Sequence, residues 1–140
     1  MKNKIISIAL LIVCMFVLCG CNEKPFKAAK KWYVVEIVSG DQVFREGDVC
    51  GGVKLTKTSY LFEFFEDGTF KAVLDNKEVE GEFKKRFEIF KLKSYWEVVT
   101  NDGRQFIGRC EKDEEYEYKF ILEGRYYTYV LVPQKTKRNL

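Results

Sequence analysis

The chain has 140 residues, of which 46% are apolar and 32% charged, so it should form one small folded domain rather than a disordered or multi-span membrane protein. Its net charge of +3 is too small to indicate the clustered basic surface that nucleic-acid binding requires. The sequence contains no histidine, the commonest general base and zinc ligand near neutral pH, and we therefore expect no enzymatic activity, no metal and no other cofactor.

Residues 1–20 have the layout of a secretory signal. Lys2 and Lys4 form a positive leader, and an apolar run extends from Ile5 to Leu18. This run is shorter than the roughly 20 residues that a transmembrane helix needs, so a permanent membrane span is the weaker interpretation. Without the signal the chain would carry 22 basic and 21 acidic residues, so most of the positive net charge belongs to the leader.

A cysteine follows the signal directly. The sequence Leu18-Cys19-Gly20-Cys21 resembles the bacterial lipobox, in which a small residue precedes an acylated cysteine. The resemblance implies that Cys21 becomes the first residue, carries diacylglycerol and further acyl chains such as palmitate, and holds the protein on the extracytoplasmic face of the cell membrane. The alternative is an ordinary secreted protein with this cysteine near its N-terminus.

Residues 21–31 have the composition of a tether, with one proline, four lysines and two alanines. Ten such residues reach at most about 33 Å, which would keep the folded domain close to the membrane. The lysines either contact anionic headgroups or belong to a solvated linker.

Two cysteines remain for the folded domain, because Cys14 and Cys19 leave with the signal and Cys21 is assigned to lipid. Cys50 and Cys110 form an even pair in an extracytoplasmic protein, which favours a disulfide that closes a loop of about 60 residues. Two buried free thiols are the other possibility, since cysteine is among the most buried residue types.

From Trp32 onward the sequence shows the period of two that is typical of β-strands. In Glu115–Leu122 the aromatic and aliphatic side chains alternate with charged ones. Eight further runs have a similar composition: Trp32–Val38, Ser59–Phe65, Phe70–Leu74, Glu78–Lys84, Glu88–Lys93, Tyr95–Thr100, Arg104–Cys110 and Tyr126–Val132.

Short links rich in Gly, Asn and Asp separate most of these runs, so successive strands should be antiparallel neighbours. An antiparallel meander of about eight strands removes its exposed edges by closing on itself. We predict an all-β barrel over residues 32–133, followed by a basic tail at 134–140. The longer connection Ser39–Lys57 contains four glycines and is expected to form an irregular lid or one short helical turn.

The order of these segments resembles the small lipocalin-like domains of bacterial lipoproteins, especially those of Gram-positive gut bacteria. The matching segments are Lys31–Val35 with its early tryptophan, the F-x-x-D-G-T-F pattern of Phe64–Phe70, the strand start Glu80–Phe83 and the late hairpin Asp102–Gly108. The resemblance implies a closed barrel with an apolar interior and the capacity to bind a small hydrophobic molecule.

Eight aromatic residues are expected to face the barrel interior: Tyr60, Phe62, Phe64, Phe70, Phe83, Tyr116, Tyr118 and Phe120. They either form a filled core or line a site for one small ligand, because eight strands leave room for no more. Glu78, Glu80 and Glu82 occupy the alternate, solvent-facing positions of a strand and are not expected to catalyse a reaction.

The leading functional interpretation is a monomeric, membrane-anchored protein that binds a small apolar ligand and no nucleic acid. The alternative is a protein-interaction module, such as an inhibitor or an envelope-assembly factor, that uses Ser39–Lys57 or the last strand. A barrel interior of at least about 300 Å³ with an open mouth would favour the ligand binder, whereas a filled interior with an exposed aromatic patch would favour the partner binder.

Overall fold

The computed structural model describes residues 30–134, which form β-strands joined by turns. Within these residues there is no helix long and apolar enough to span a membrane. The predicted signal, Cys21, nearly all of the tether and most of the basic tail lie outside the described residues. The strands are β1 (Lys31–Ser39), β2 (Gln42–Arg45), β3 (Val49–Cys50), β4 (Val53–Lys54), β5 (Leu61–Phe64), β6 (Thr69–Leu74), β7 (Lys77–Glu88), β8 (Lys93–Thr100), β9 (Gln105–Asp113), β10 (Glu117–Glu123) and β11 (Thr128–Pro133).

Eight of these strands close a barrel. The wall runs from β1 through β5, β6, β7, β8, β9 and β10 to β11, which pairs again with β1. Every pair is antiparallel, and the closing pair extends from Trp32 opposite Pro133 to Val38 opposite Thr128. The predicted all-β meander that closes into a barrel is therefore confirmed, and this architecture is compatible with the lipocalin-like fold.

The predicted strand Glu88–Lys93 is wrong. β7 and β8 form one long hairpin in which Glu88 pairs with Lys93, and residues 89–92 are its turn. Leu92 has a φ of 49°, which ends the extended conformation. The apolar residues of this segment gave it the composition of a strand, but it has no partner strand in the barrel wall.

The connection Ser39–Lys57 forms two short hairpins rather than a helical turn. β2 pairs with the second half of β1, beyond the part that β5 contacts. β3 and β4 pair across Gly51 and Gly52, whose φ values of 60° and 83° suit a two-residue turn. We call residues 47–55 the flap.

The two ends of the barrel are different. β1 runs from Lys31, where the predicted tether joins the domain, to Ser39. Because all pairs are antiparallel, the β5–β6, β7–β8 and β9–β10 turns lie at the end of Lys31, which we call the tether end. The β1–β2, β6–β7, β8–β9 and β10–β11 turns lie at the opposite end, which we call the flap end.

Candidate functional site

The barrel interior contains most of the aromatic residues that the sequence placed there. Phe83 and Tyr118 are half-buried, and Tyr116 lies in the β9–β10 turn instead of the strand because Glu117 has a positive φ. The other five of the eight are buried: Tyr60, Phe62, Phe64, Phe70 and Phe120. Trp32, Trp96, Phe106 and Tyr129 join them in the same core, although the sequence interpretation did not include them among the interior residues.

Phe64 lies at the centre of the aromatic cluster. Its ring centroid is 5.1 Å from that of Phe83 and 6.0 Å from that of Phe120, both in edge-to-face geometry. The ring of Phe62 stacks on it at 5.9 Å, and Trp32 contacts Phe120 with centroids 6.0 Å apart. Offset and edge-to-face pairs are the favourable arrangements for aromatic rings, so the cluster supports the wall of the barrel from within.

The flap closes one end of this interior. Leu55 is fully buried and Cys50 nearly so, and both belong to the core. Backbone hydrogen bonds from Leu55 N to the Asp48 carbonyl (2.8 Å) and from Gly47 N to the Leu55 carbonyl (2.9 Å) hold the flap in shape. The Ser59 hydroxyl donates to the Lys54 carbonyl at 2.6 Å, which fixes the link between the flap and β5.

A hydrogen bond between Tyr60 and Asp75 lies at the flap end of the barrel. The Tyr60 hydroxyl donates a hydrogen bond to Asp75, which lies in the β6–β7 turn. Burial, followed by the hydrogen bond and charge of Asp75, raises the pKa of Tyr60 well above its usual range. Burial likewise raises the pKa of Tyr129 and of the Cys50 thiol. All three side chains therefore stay neutral at physiological pH, and none of the three is an activated nucleophile.

The tether end has a different surface. Phe83 packs against the core and contacts Trp96 with ring centroids 5.5 Å apart, yet it is only half-buried. Tyr118, two residues before Phe120 on the same face of β10, and Cys110, opposite Phe120 on β9, are also half-buried. The apolar lining of the interior thus reaches solvent at this end.

The two cysteines of the domain are thiols and are not bridged to each other. Cys50 lies at the flap end, close enough to Asp75 for that carboxylate to raise its pKa. Cys110 lies on β9 opposite Phe120, in the half of the strand that leads to the tether end. In the described residues the two side chains therefore occupy different parts of the core and are not bridged, and the disulfide stays a prediction from the sequence.

The outer surface carries charged residues and shallow grooves. Glu78, Glu80 and Glu82 are exposed, as their alternation predicted. An open groove of about 590 Å³ crosses the outer face of β8, β9 and β10 between Tyr95 and Arg125. In the last strand Tyr129 and Leu131 point inward, while Val130 and Val132 on the other face are half-buried and buried. Tyr126 and Tyr127 lie in the preceding turn.

The sequence interpretation missed the role of the β7–β8 turn. Phe87, Ile89, Phe90 and Leu92 are all exposed, so this segment forms an apolar surface instead of a strand of the wall. The adjacent basic run Lys84–Arg86 could have indicated an exposed ribbon, because a wall strand rarely carries three consecutive charges.

In comparisons with known proteins, no family model, no curated protein and no solved structure matches this chain. Its function is therefore inferred from the fold and from the positions of these side chains.

Proposed function

We propose that this protein is a membrane-anchored, extracytoplasmic lipocalin-like protein that binds a small hydrophobic ligand and catalyses no reaction. Cys21 would carry the lipid, and the barrel at 32–133 would bind the ligand. The half-buried apolar surface at the tether end, where Phe83, Cys110 and Tyr118 continue the lining of the interior, is the observation that carries the proposal.

The two ends of the barrel favour binding at the tether end. At the flap end Leu55, Tyr60 and Tyr129 are buried, so a ligand would have to displace the flap. At the tether end Phe83 and Tyr118 are already half-exposed, so an apolar molecule would contact either ring without breaking a hydrogen bond of the wall. Aromatic faces with few polar groups are typical of sites for small apolar ligands.

A titration with N-phenyl-1-naphthylamine, an uncharged dye that emits strongly in apolar sites, tests the proposal. We expect saturable binding of one dye per protein. Phe83→Ala should weaken the affinity about tenfold, because it removes most of one aromatic contact surface. Tyr118→Ala should act in the same direction and serves as a second variant if Phe83→Ala impairs folding.

Tyr126→Ala is the matched control, because Tyr126 is an exposed aromatic residue at the flap end. The Tyr126→Ala protein should bind the dye with the same affinity as the unmodified protein. Dye emission that does not saturate, or that is unchanged in both tether-end variants, would contradict ligand binding. Those results would favour the alternative, a protein-interaction module that uses the exposed Val43 and Val49 of the connection Ser39–Lys57.

A further inference from the structure

The β7–β8 hairpin extends beyond the barrel wall at the tether end. β6 pairs with β7 only as far as Glu82, and β9 pairs with β8 only from Trp96 onward. Within the sheet, residues 84–95 are paired with each other and not with β6 or β9, and Glu88 lies opposite Lys93. Glu88 is six positions after Glu82, so this ribbon extends about 20 Å past its last pairing with β6.

The tip of the ribbon is apolar and exposed. The exposed fraction is 41% for Phe87, 72% for Ile89, 99% for Phe90 and 53% for Leu92. A single exposed apolar residue needs no explanation, but four large ones within six positions of one hairpin mark a contact surface.

The stem behind this tip is basic. Ion pairs join Arg86 to Glu97 (3.0 Å) and Lys91 to Glu88 (3.9 Å). Five basic side chains and two acidic ones give the segment 84–97 a net charge of +3: Lys84, Lys85, Arg86, Lys91 and Lys93 against Glu88 and Glu97. Lys91 lies within the apolar turn and the other four basic residues lie on the strands next to it, an arrangement that suits the contact of hydrocarbon with anionic headgroups at a lipid surface.

We propose that this hairpin inserts its apolar tip into the surface of a bilayer that contains anionic phospholipid. A symmetric contact with the same hairpin of a second copy is less favourable, because two stems of like charge would repel each other. The location agrees with a membrane, since the hairpin and Lys31 lie at the same end of the barrel and the predicted acylation site is ten residues before Lys31. The inference goes beyond the proposed ligand binding and does not depend on it.

Quenching by lipids with brominated acyl chains tests the insertion, because bromine quenches an indole only on contact. The full-length protein with Phe90→Trp is added to vesicles of brominated phosphatidylglycerol and phosphatidylcholine. The native Trp32 and Trp96 are buried and contribute little to the quenched signal. Tyr126→Trp is the matched control, since this side chain is 70% exposed in the turn between β10 and β11 at the flap end.

We expect strong quenching for Phe90→Trp and none for Tyr126→Trp. Adding Lys91→Glu and Lys93→Glu to the Phe90→Trp protein should shift the equilibrium away from the inserted tip about a hundredfold and so reduce the quenching at position 90, since each reversal replaces an attraction to the headgroups by a repulsion. Absence of quenching at position 90, or equal quenching at both positions, would overturn the proposal. Equal quenching in vesicles of phosphatidylcholine alone would also overturn it. A blue shift of the indole emission of the Phe90→Trp protein that depends on protein concentration in the absence of vesicles would indicate self-association and would overturn it as well. If Phe83→Ala abolishes dye binding, the quenching at position 90 should remain unchanged. The ligand-binding proposal and the membrane-insertion proposal can therefore be refuted independently.

Discussion

Gly108 shows how one missing side chain shapes the core. A Cβ at this position would lie 2.5 Å from Cζ of Phe120 and 3.1 Å from Cδ2 of Leu122. Both neighbours are fully buried, so neither ring nor methyl group can move aside without disturbing other contacts. Gly81 stands in the same relation to Phe70, whose ring would lie 2.6 Å from a Cβ added there. These glycines are needed for space and not for a special φ.

Gly108→Ala should therefore lower the free energy of unfolding by about 1–3 kcal/mol through overpacking. Phe120→Leu alone should also lower it, by about 1 kcal/mol or more, because it leaves a cavity. In the double variant the smaller leucine accommodates the new methyl group, so the loss should be less than the sum of the single losses. Urea unfolding of the four proteins measures the coupling, and strictly additive losses would show that the two side chains do not compete for the same space.

The residue pattern identified five of the buried aromatic side chains, missed four others, and did not show why particular glycines are required. Apolar residues at every second position, Phe62 and Phe64 in β5 and Phe120 and Leu122 in β10, were sufficient to predict the inner faces of these strands. The packing of Gly108 against Phe120 depends on the register of β9 and β10, which places Gly108 opposite Leu122. Register is a tertiary property and cannot be derived from a single strand.

At the scale of elements, the turns of the barrel are stabilised by local side-chain hydrogen bonds. Between β8 and β9, Asp102 accepts hydrogen bonds from Thr100 and, at 2.8 Å and 3.1 Å, from the guanidinium of Arg104. The hydrogen bonds of Arg104 and then of Thr100 lower the pKa of Asp102 from 3.8 to about 2. A carboxyl group whose pKa is lowered on folding stabilises the protein above its unfolded pKa.

Asp102→Asn should therefore be less stable than the unmodified protein at neutral pH. The difference should shrink as the pH falls from about 4 toward 2, because the native carboxylate becomes protonated and loses its advantage over the amide. Since the side chain is 52% exposed, solvent screening limits the effect to about 1 kcal/mol or less. Denaturant unfolding of both proteins at pH 7, 4 and 2 measures it, and a difference that stays constant over this range would contradict the assignment.

The elements that the sequence interpretation misassigned are those that lie outside the barrel wall. A period of two identifies a half-buried strand, but the apolar residues of Glu88–Lys93 are exposed in a hairpin turn and do not belong to the barrel core. The flap was expected to be irregular because of its glycines, whereas Gly51 and Gly52 form a tight hairpin turn. The burial of Leu55 could not be inferred, since only the folded barrel provides the end that it covers.

At the scale of the whole molecule, the flap covers one end of the barrel, and the other end carries a half-buried apolar surface beside charged turns. The flap and the hydrogen bond between Tyr60 and Asp75 close the flap end. The tether end combines the half-buried Phe83 and Tyr118 with the projecting β7–β8 hairpin and with Lys31, where the N-terminal segment joins. The proposed ligand surface and the proposed lipid-contacting tip therefore lie at the same end of the barrel as the start of β1.

The lipid attachment itself is a prediction from the lipobox-like sequence, and metabolic labelling with palmitate tests it. The unmodified protein should incorporate the label, and Cys21→Ala should abolish incorporation, because the acyl chains are expected on the residue that becomes the N-terminus. Cys19→Ala is the matched control, since it removes a cysteine two positions earlier in the same motif and should leave the labelling intact. Label that persists in Cys21→Ala, or that disappears only in Cys19→Ala, would place the cleavage site elsewhere. Because Lys31 is ten positions after Cys21, an anchor at Cys21 would hold the tether end no more than about 33 Å from the bilayer, and the hairpin tip projects about 20 Å from this same end.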